Sequence, residues 1–372
     1  MKILQVVRQF LPGTGGMETY VSSLCRELGG RGHTSDVATL DYIFKNGRRL
    51  PSFERIDGIN VIRLPSLGNP RYFLAPRLLE LLPRYDLVHV HGVDFFADLL
   101  GALRRRHGKP VVLSTHGGFF HTGWHSSFKK IYFRTVTRSA LRGVDRVIAC
   151  SRGDEKLFSP LTRRICVVEN GIDFAAFSAV KKKIEGEELL FIGRVSKNKR
   201  VDWLIEALAL ARKARPGATL TIAGPDWEGL QGGLEKLAGS YGVNGAVTFT
   251  GELTGRELLS GLARARLFVS ASEYEAFGLS AAEAMASGTV PLLNDIEAFR
   301  EFIDNGRNGF LASFDNAGAA STAIVAALEL SKEQLAEIGG RAKKTASRYD
   351  WKQVTGEIID VYKQVLSNNE KN

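Results

Sequence analysis

The chain has 372 residues, of which 44% are hydrophobic and 24% charged, and its formal net charge is +10. This length predicts two domains of about 150–200 residues each, and the composition excludes a disordered or fibrous protein. The opening apolar run, interrupted at Arg8, is too short for a secretory signal, and no stretch reaches the roughly 18 apolar residues of a membrane span. Because Cys25, Cys150 and Cys166 are far apart in apolar surroundings, we expect reduced thiols in a cytoplasmic protein.

Short β-branched runs alternate with helical patterns along the whole chain. They are too uniformly apolar to alternate between core and solvent, so they predict strands covered on both faces by helices in parallel sheets. The predicted strands are 3–7, 36–40, 61–64, 87–91, 111–115, 147–149 and 166–168 in the first half, and 189–192, 220–223, 247–250, 267–270 and 290–293 in the second. The fold class is therefore α/β, with two Rossmann-like, doubly wound domains.

The domain boundary is predicted from a turn and a polar linker. Residues 170–173 read Asn-Gly-Ile-Asp, and residues 181–188 are rich in lysine and glutamate. We expect an N-terminal domain over 1–176, a C-terminal domain over 177–349, and a final amphipathic helix over 350–372 that completes the first domain. Ligands of open α/β sheets bind beyond the carboxyl ends of the strands, which predicts an active site in an interdomain cleft between two facing sheets.

Charge is distributed unevenly between the two halves. Residues 1–176 carry 26 lysines and arginines against 15 aspartates and glutamates, whereas the remainder carries 24 against 25. A basic first half indicates contact with an anionic surface, a diphosphate or nucleic acid, and solubilising charge is an equally weighted alternative.

A glycine-rich segment follows the first predicted strand and opens the first helix. Gly15 and Gly16 allow close backbone approach, and the free N–H groups of the helix start suit a diphosphate. The segment is not a Gly-x-Gly-x-x-Gly motif and has no P-loop lysine, so a tight turn without a ligand is an equal alternative.

Two cations follow the first strand of the second half. Arg194 and Lys199 lie in the loop between that strand and a helix predicted to start near Asp202. At the carboxyl edge of a strand they can clamp a departing diphosphate, although a solvated basic loop is the alternative.

The sharpest motif follows the strand 267–270. Glu275 lies in a loop, Phe277, Gly278 and Leu279 open a helix whose amides can receive phosphate oxygens, and Glu283 lies about one turn into that helix. A buried glutamate among alanines needs a partner, which favours a ligand over chance spacing.

Glu275 and Glu283, seven residues apart, resemble the E-x7-E motif of retaining glycosyltransferase family 4, whose members have the GT-B fold. The glycines near residue 16, the turn at 170–173 and the cations of the 193–200 loop match that family in order. The resemblance implies that Gly16 abuts the donor diphosphate, that Arg194 and Lys199 neutralise it, and that Glu275 binds sugar hydroxyls. The amides of residues 277–279 would take phosphate or sugar oxygens, and Glu283 would bind the ribose. One departure is Arg200, where many relatives carry glycine.

His116 follows the strand 111–115, and the resemblance assigns it to the donor sugar. All seven histidines lie within the first 125 residues, but His116, His121 and His125 lack carboxylate or cysteine companions at metal-ligand spacing. The sequence also has no Asp-x-Asp to bridge a divalent ion to a diphosphate. We therefore expect no metal and no cofactor besides a nucleotide-sugar co-substrate.

A basic stripe is predicted on one helix of the first half. Lys130, Arg134, Arg138 and Arg142 repeat every four residues beside Lys129 and several aromatic residues. This pattern favours an acceptor-side or membrane contact, with a solvated helix face as the alternative.

Segments near residues 93–96, 114–122 and 292–296 resemble one subgroup of the family. These mannosyltransferases use GDP-mannose to extend cellobiosyl-diphosphopolyprenol at the inner face of the cytoplasmic membrane during bacterial exopolysaccharide assembly. The resemblance implies a peripheral membrane enzyme with a polyprenyl-diphosphate-linked acceptor.

By resemblance, the acceptor hydroxyl attacks from the leaving-group face, and a glycosyl-enzyme intermediate on Glu275 is the mechanistic rival. Other donors and acceptors within the family, such as UDP-glucose, phosphoinositide or lipopolysaccharide core, are alternatives. A nucleic-acid-binding protein is a distant one, since aromatic platforms on a small basic module are missing. A nicotinamide oxidoreductase would need a Gly-x-Gly-x-x-Gly motif that the chain does not have.

Overall fold

A computed structural model describes residues 1–13, 15–44, 47–69, 72–117 and 131–370. The chain forms two compact units, one over Met1–Gly171 with Trp351–Asn372 and the other over Ile172–Asp350. The units divide slightly before the predicted boundary at 176, because helix Phe174–Ser178, capped by Asp173, packs Phe177 into the second core. No helix within the described ranges has the length and apolar character needed to cross a bilayer.

The first unit is built on an eight-stranded sheet with the order β10-β9-β8-β7-β1-β2-β4-β3, in which only the β3–β4 pair is antiparallel. A separate two-stranded sheet pairs β5 with β6. The strands are β1 (Lys2–Val7), β2 (Thr34–Leu40), β3 (Phe53–Ile56), β4 (Ile59–Leu64), β5 (Leu67–Asn69), β6 (Tyr72–Leu74), β7 (Leu87–His91), β8 (Val111–Ser114), β9 (Arg146–Ala149) and β10 (Ile165–Val167).

Helices cover the sheet of the first unit on both faces. They are α1 (Gly16–Gly30), α2 (Leu78–Leu81), α3 (Phe95–Ala102), α4 (Arg104–His107), α5 (Arg138–Leu141), α6 (Arg152–Phe158) and the C-terminal helix Trp351–Glu370. A π-helical turn spans Phe133–Thr137 and a 3-10 turn spans Leu82–Arg84. The C-terminal helix buries Val354, Ile358, Tyr362 and Val365 in the same core cluster as β1 and α1.

The second unit is a six-stranded, all-parallel sheet with the order β13-β12-β11-β14-β15-β16. Its strands are β11 (Glu188–Ile192), β12 (Thr219–Ala223), β13 (Val247–Gly251), β14 (Leu267–Ser270), β15 (Val290–Asn294) and β16 (Phe310–Ala312). Its helices are α7 (Phe174–Ser178), α8 (Val201–Ala211), α9 (Gln231–Ser240), α10 (Gly255–Arg264), α11 (Leu279–Ala286), α12 (Glu297–Arg300), α13 (Ala317–Leu328) and α14 (Lys332–Ala346), with 3-10 turns at Lys197–Lys199, Asn244–Ala246 and Ser347–Tyr349. The prediction of two parallel α/β sheets is confirmed.

Candidate active site

Two of the predicted donor motifs lie at one edge of the sheet in the second unit. Strands β11 and β14 are neighbours, and the chain leaves them toward opposite edges of the sheet, which makes their carboxyl ends a topological switch point. Open α/β sheets bind ligands at such points. The loop 193–200 follows β11 and the loop 271–278 follows β14, so the fold brings Arg194, Lys199 and Glu275 to the same edge.

Lys199 and Glu275 form an ion pair at this edge. Lys199 Nζ lies 2.5 Å from Glu275 Oε1, and the Ser272 hydroxyl donates to the same oxygen at 2.8 Å. Both charged side chains are about 15% exposed, so the pair is little screened by solvent. The lysine and the serine both bind this oxygen, and the second carboxylate oxygen has no hydrogen-bond partner among the described residues.

Backbone bonds between the two loops hold the pair in place. The Glu273 amide donates to the Asn198 carbonyl at 2.9 Å, and the Asn198 side chain donates to the Tyr274 carbonyl at 3.3 Å. From β15, Asn294 donates to the Ser272 carbonyl at 3.0 Å. Such cross-links preorganise a site that must not reorganise during the reaction.

Arg194 is an exposed cation of the loop that follows β11. Its guanidinium lies 5.1 Å from the ring centre of Trp227, and it has no ion pair among the described residues. Arg200 differs, since its guanidinium is bound to Asp202 and Glu273. Arg194 is therefore available to an incoming anion, whereas Arg200 is already neutralised.

Helix α11 begins just after Glu275, and its first N–H groups have no protein acceptor among the described residues. Gly278 adopts a left-handed φ of 101°, and a Cβ there would lie 2.7 Å from Phe299 Cε1, so the turn requires glycine. Within the described ranges, the N–H groups of residues 277–280 donate to no protein acceptor. Amides of this kind at a positive helix end can receive an anion such as phosphate.

Glu283 lies one turn further along α11 and is half-buried. Burial, reinforced by the nearby Asp173 carboxylate, raises its pKa to about 7. Its carboxyl group makes no hydrogen bond or ion pair within the described part of the chain. A ligand hydroxyl could satisfy it, which accords with the predicted partner for this glutamate.

The glycine segment of the first unit starts α1 after β1. Gly15 is the extended N-cap residue, and a Cβ there would lie 2.5 Å from Glu18 Oε2, whereas nothing lies within 4 Å of a Cβ on Gly16. Gln9 donates to the Glu18 carboxylate at 3.3 Å. The helix start is thus open at Gly16 but carries its own carboxylate, which is a less strongly anion-attracting arrangement than that of α11.

His116 follows β8 in a left-handed conformation with φ 49°. Its Nε2 lies 2.9 Å from His91 Nδ1, and its Nδ1 lies 3.6 Å from Cys150 Sγ. Burial lowers the pKa of His116 to about 3. Both ring nitrogens are engaged inside the first unit and the ring is neutral, so it is not free to act as an acid or base.

The predicted basic stripe is described only in part. Arg134 and Arg138 are exposed, whereas Lys129 and Lys130 lie outside the described residues. The π-helical turn at Phe133–Thr137 widens the spacing, so the four-residue repeat does not continue as one straight α-helical stripe. Among the described residues, no group of three or more histidine, cysteine, aspartate or glutamate side chains could hold a metal ion.

Two family models match successive parts of the chain. The model for glycosyltransferase family 4 matches residues 14–176, and the model for glycosyl transferases group 1 matches residues 174–345. A glycosyltransferase from Rickettsia africae has a similar structure, with a TM-score of 0.78, 19% identity and 99% of each chain covered. The matches and the fold define the class of protein, a glycosyltransferase with the two Rossmann-like domains of the GT-B fold.

Two relatives that match almost the whole chain identify its glycosyltransferase family. GDP-mannose:cellobiosyl-diphosphopolyprenol alpha-mannosyltransferase from Xanthomonas campestris is 35% identical, and its counterpart from Xanthomonas oryzae pv. oryzae is 37% identical. Each similarity covers 98% of this chain and 97% of the relative. The chain belongs to glycosyltransferase family 4.

Proposed function

We propose that this enzyme is a retaining hexosyltransferase that transfers mannose from GDP-mannose to a lipid-diphosphate-linked oligosaccharide in exopolysaccharide biosynthesis. The observation that carries the proposal is the anion site of the second unit, where unoccupied amides of α11 stand at the same sheet edge as Arg194 and the Lys199–Glu275 pair. The choice of mannose and of the acceptor is supported by the full-length similarity to the Xanthomonas enzymes.

The roles of the second-unit residues follow from the charge that develops as the donor breaks. Arg194, Lys199 and the amides of Phe277, Gly278 and Leu279 stabilise the departing diphosphate, a task that preorganised cations and dipoles perform without a metal ion. Glu275 accepts from sugar hydroxyls and Glu283 from the ribose. Gly15, Gly16 and His116 take the donor contacts that the family resemblance gives them.

The acceptor hydroxyl attacks from the face of the leaving group, and the leaving phosphate takes its proton. The rival mechanism, a glycosyl-enzyme intermediate on Glu275, requires a carboxylate free to attack. Lys199 and the Ser272 hydroxyl both bind one oxygen of Glu275, and such bonds stabilise the carboxylate and lower its nucleophilicity, which supports a binding role instead.

The acceptor side is proposed to lie at an anionic membrane. Arg134 and Arg138 are exposed on the first unit near the exposed Ile131, and a lipid-linked acceptor must be met at the bilayer surface. We propose a peripheral enzyme at the inner face of the cytoplasmic membrane.

A nucleotide panel tests the proposal. The melting temperature is measured with GDP, UDP, ADP and their hexose conjugates, because a ligand that binds only the folded state stabilises it by mass action. We expect the largest shift with GDP-mannose, unchanged by EDTA, followed by formation of an α-mannosyl product from a polyprenyl-diphosphate acceptor. A larger shift with UDP-glucose would show that the donor is UDP-glucose and not GDP-mannose. No shift with any sugar nucleotide would refute the proposed function.

A further inference from the structure

The turn that carries His116 is tied to a buried carboxylate on the neighbouring helix. Asp154, 3% exposed in α6, accepts from the Gly117 amide at 2.9 Å and from the Thr115 hydroxyl with the same oxygen. These two donors flank His116. A non-glycine residue in the left-handed region is strained, so the conformation must be held by its surroundings.

A second set of contacts fixes the ring. The Gln5 amide nitrogen donates to Ser35 at 3.2 Å, which directs its oxygen toward His91 Nε2 at 2.8 Å. His91 must therefore carry its proton on Nε2, and its Nδ1 accepts from His116. The chain of bonds gives His116 the Nε2–H form, with its Nδ1 facing the Cys150 thiol.

The ring of His116 is also shielded from solvent. The Tyr20 ring packs edge-on against it with centroids 4.5 Å apart, and the same tyrosine contacts Trp351, the first residue of the C-terminal helix, at 4.9 Å. Asp154 and the Tyr20 ring therefore both restrict the conformation of this turn.

We propose that Asp154 is a positioning residue, which holds the turn Thr115–Gly117 that meets the donor sugar and thereby keeps the His116 ring in one position and one tautomer. The inference rests on the proposed function in one respect, namely that this turn contacts the donor sugar. Asp154 itself touches no reacting group. Its loss should therefore affect turnover while leaving nucleotide binding in the second unit intact.

The test compares Asp154→Ala with Asp154→Asn, which retains one acceptor oxygen. The control is Asp36→Ala in β2, because Asp36 also accepts two side-chain bonds, from Tyr85 at 2.8 Å and Asn60 at 2.9 Å, near the amino end of its strand. We measure kcat and KM for GDP-mannose, the Kd of GDP, and long-range ¹⁵N spectra of labelled histidine rings.

We expect kcat of Asp154→Ala to fall about 10²-fold, as for a catalytic contact displaced by about 1 Å, with the Kd of GDP unchanged. Asp154→Asn should recover most of the rate, and Asp36→Ala should lower stability without changing kcat. The His116 ring should show a single Nε2–H form in the wild type and in Asp154→Asn. It should show a mixture in Asp154→Ala, because a released turn moves the ring away from His91, whose Nδ1 fixes the tautomer.

Equal losses of kcat in Asp154→Ala and Asp36→Ala would overturn the proposal, as would an unchanged tautomer in Asp154→Ala. Failure of the proposed function looks different. In that case GDP-mannose gives neither a melting shift nor turnover in the wild type, while the ring spectra still report whether Asp154 holds the turn.

Discussion

The carboxyl edges of the two sheets are built in opposite ways. In the second unit the edge carries an ion pair, an exposed arginine and unoccupied amides. In the first unit it carries His91 and His116, which burial keeps neutral, in a closed chain of hydrogen bonds. One edge is prepared to receive charge, whereas the histidine pair at the other edge is uncharged and hydrogen-bonded within its own unit.

This comparison shows that the net charge of a domain and the charge at its candidate site are separate properties. The first half of the chain holds the whole basic surplus, yet its surplus lies on exposed side chains such as Arg105, Arg134 and Arg138. The proposed anion site lies in the nearly neutral second half, because a few well-placed cations and backbone dipoles act more strongly than many solvated ones. Composition indicates how much charge lies on the surface, whereas the fold shows which charged groups come together in a site.

Removing Lys199 should give the largest effect on the charged edge. Lys199→Ala deletes a cation from the proposed diphosphate site and leaves the partly buried Glu275 without its ion pair. We expect kcat to fall about 10²–10³-fold, as for loss of one preorganised transition-state contact. Steady-state kinetics at saturating GDP-mannose measure it, and Arg194→Ala should fall in the same range.

The matched control is Arg200→Gly in the same loop. Arg200 is neutralised by Asp202 and Glu273 and occupies a left-handed conformation with φ 47°, which glycine adopts without strain. It should keep near wild-type kcat. If Lys199→Ala and Arg200→Gly lowered kcat equally, the loop would be sensitive to the loss of any positive charge. The edge of the second unit could then not be described as a specific site for a diphosphate.

Gly278→Ala tests the helix start that presents the open amides. The left-handed φ and the 2.7 Å approach to Phe299 should destabilise the variant by about 2–3 kcal/mol. Urea unfolding measures this change. Gly232→Ala in α9, where nothing lies within 4 Å, should instead be neutral or stabilise by up to about 1 kcal/mol. Shifts in the same direction for both variants would remove the steric argument.

Much of the fold could be predicted because most strands are buried on both faces. The run 189–192 lies within β11, and the run 267–270 coincides with β14. Strand β3 was missed because its residues alternate in exposure at the sheet edge. Its signal was the Asp57–Gly58 pair, whose positive φ values of 49° and 82° match the two-residue turn typical of Asp-Gly hairpins.

The candidate site was predictable where motifs follow strands. Parallel strands deliver their following loops to one edge, so Lys199 and Glu275 could be placed together before their contact was known. Asp154 and Trp227 could not be placed in the site from the sequence. Each acts through a contact with a residue that is distant in sequence or lies on another loop. Hydrophobic periodicity indicates which face of a helix or strand is buried, but it does not indicate which buried polar groups contact each other.

The exposed charge of the first unit should matter for membranes rather than for chemistry. Replacing Arg134 and Arg138 together by glutamine removes two cations, each contributing about 1 kcal/mol near an anionic bilayer. We expect about 30-fold weaker partitioning onto phosphatidylglycerol vesicles at low salt, with kcat on a water-soluble acceptor unchanged. Vesicle sedimentation measures the bound fraction.

The control for that experiment takes two exposed cations from the second unit. Lys236→Gln combined with Arg256→Gln makes the same change in net charge on helices α9 and α10. Partitioning of this control should stay near that of the wild type. Equal losses in both double variants would mean that net charge alone governs the attraction.

The smallest effect concerns the pH dependence contributed by Glu283. Its pKa rises from 4.5 in the unfolded chain to about 7 in the folded protein, so the stability it contributes is full below pH 4.5 and is lost as pH rises through about 7. Glu283→Gln should match the wild type in free energy of unfolding at pH 4.5 and exceed it by about 1 kcal/mol at pH 8.5, after discounting for partial exposure. Urea unfolding at the two pH values measures the difference, with the exposed Glu235→Gln as control. Parallel pH profiles for Glu283→Gln and the wild type would show that this glutamate is already satisfied in the free enzyme, and the second unit's edge would then be charged without being poised for a ribose hydroxyl.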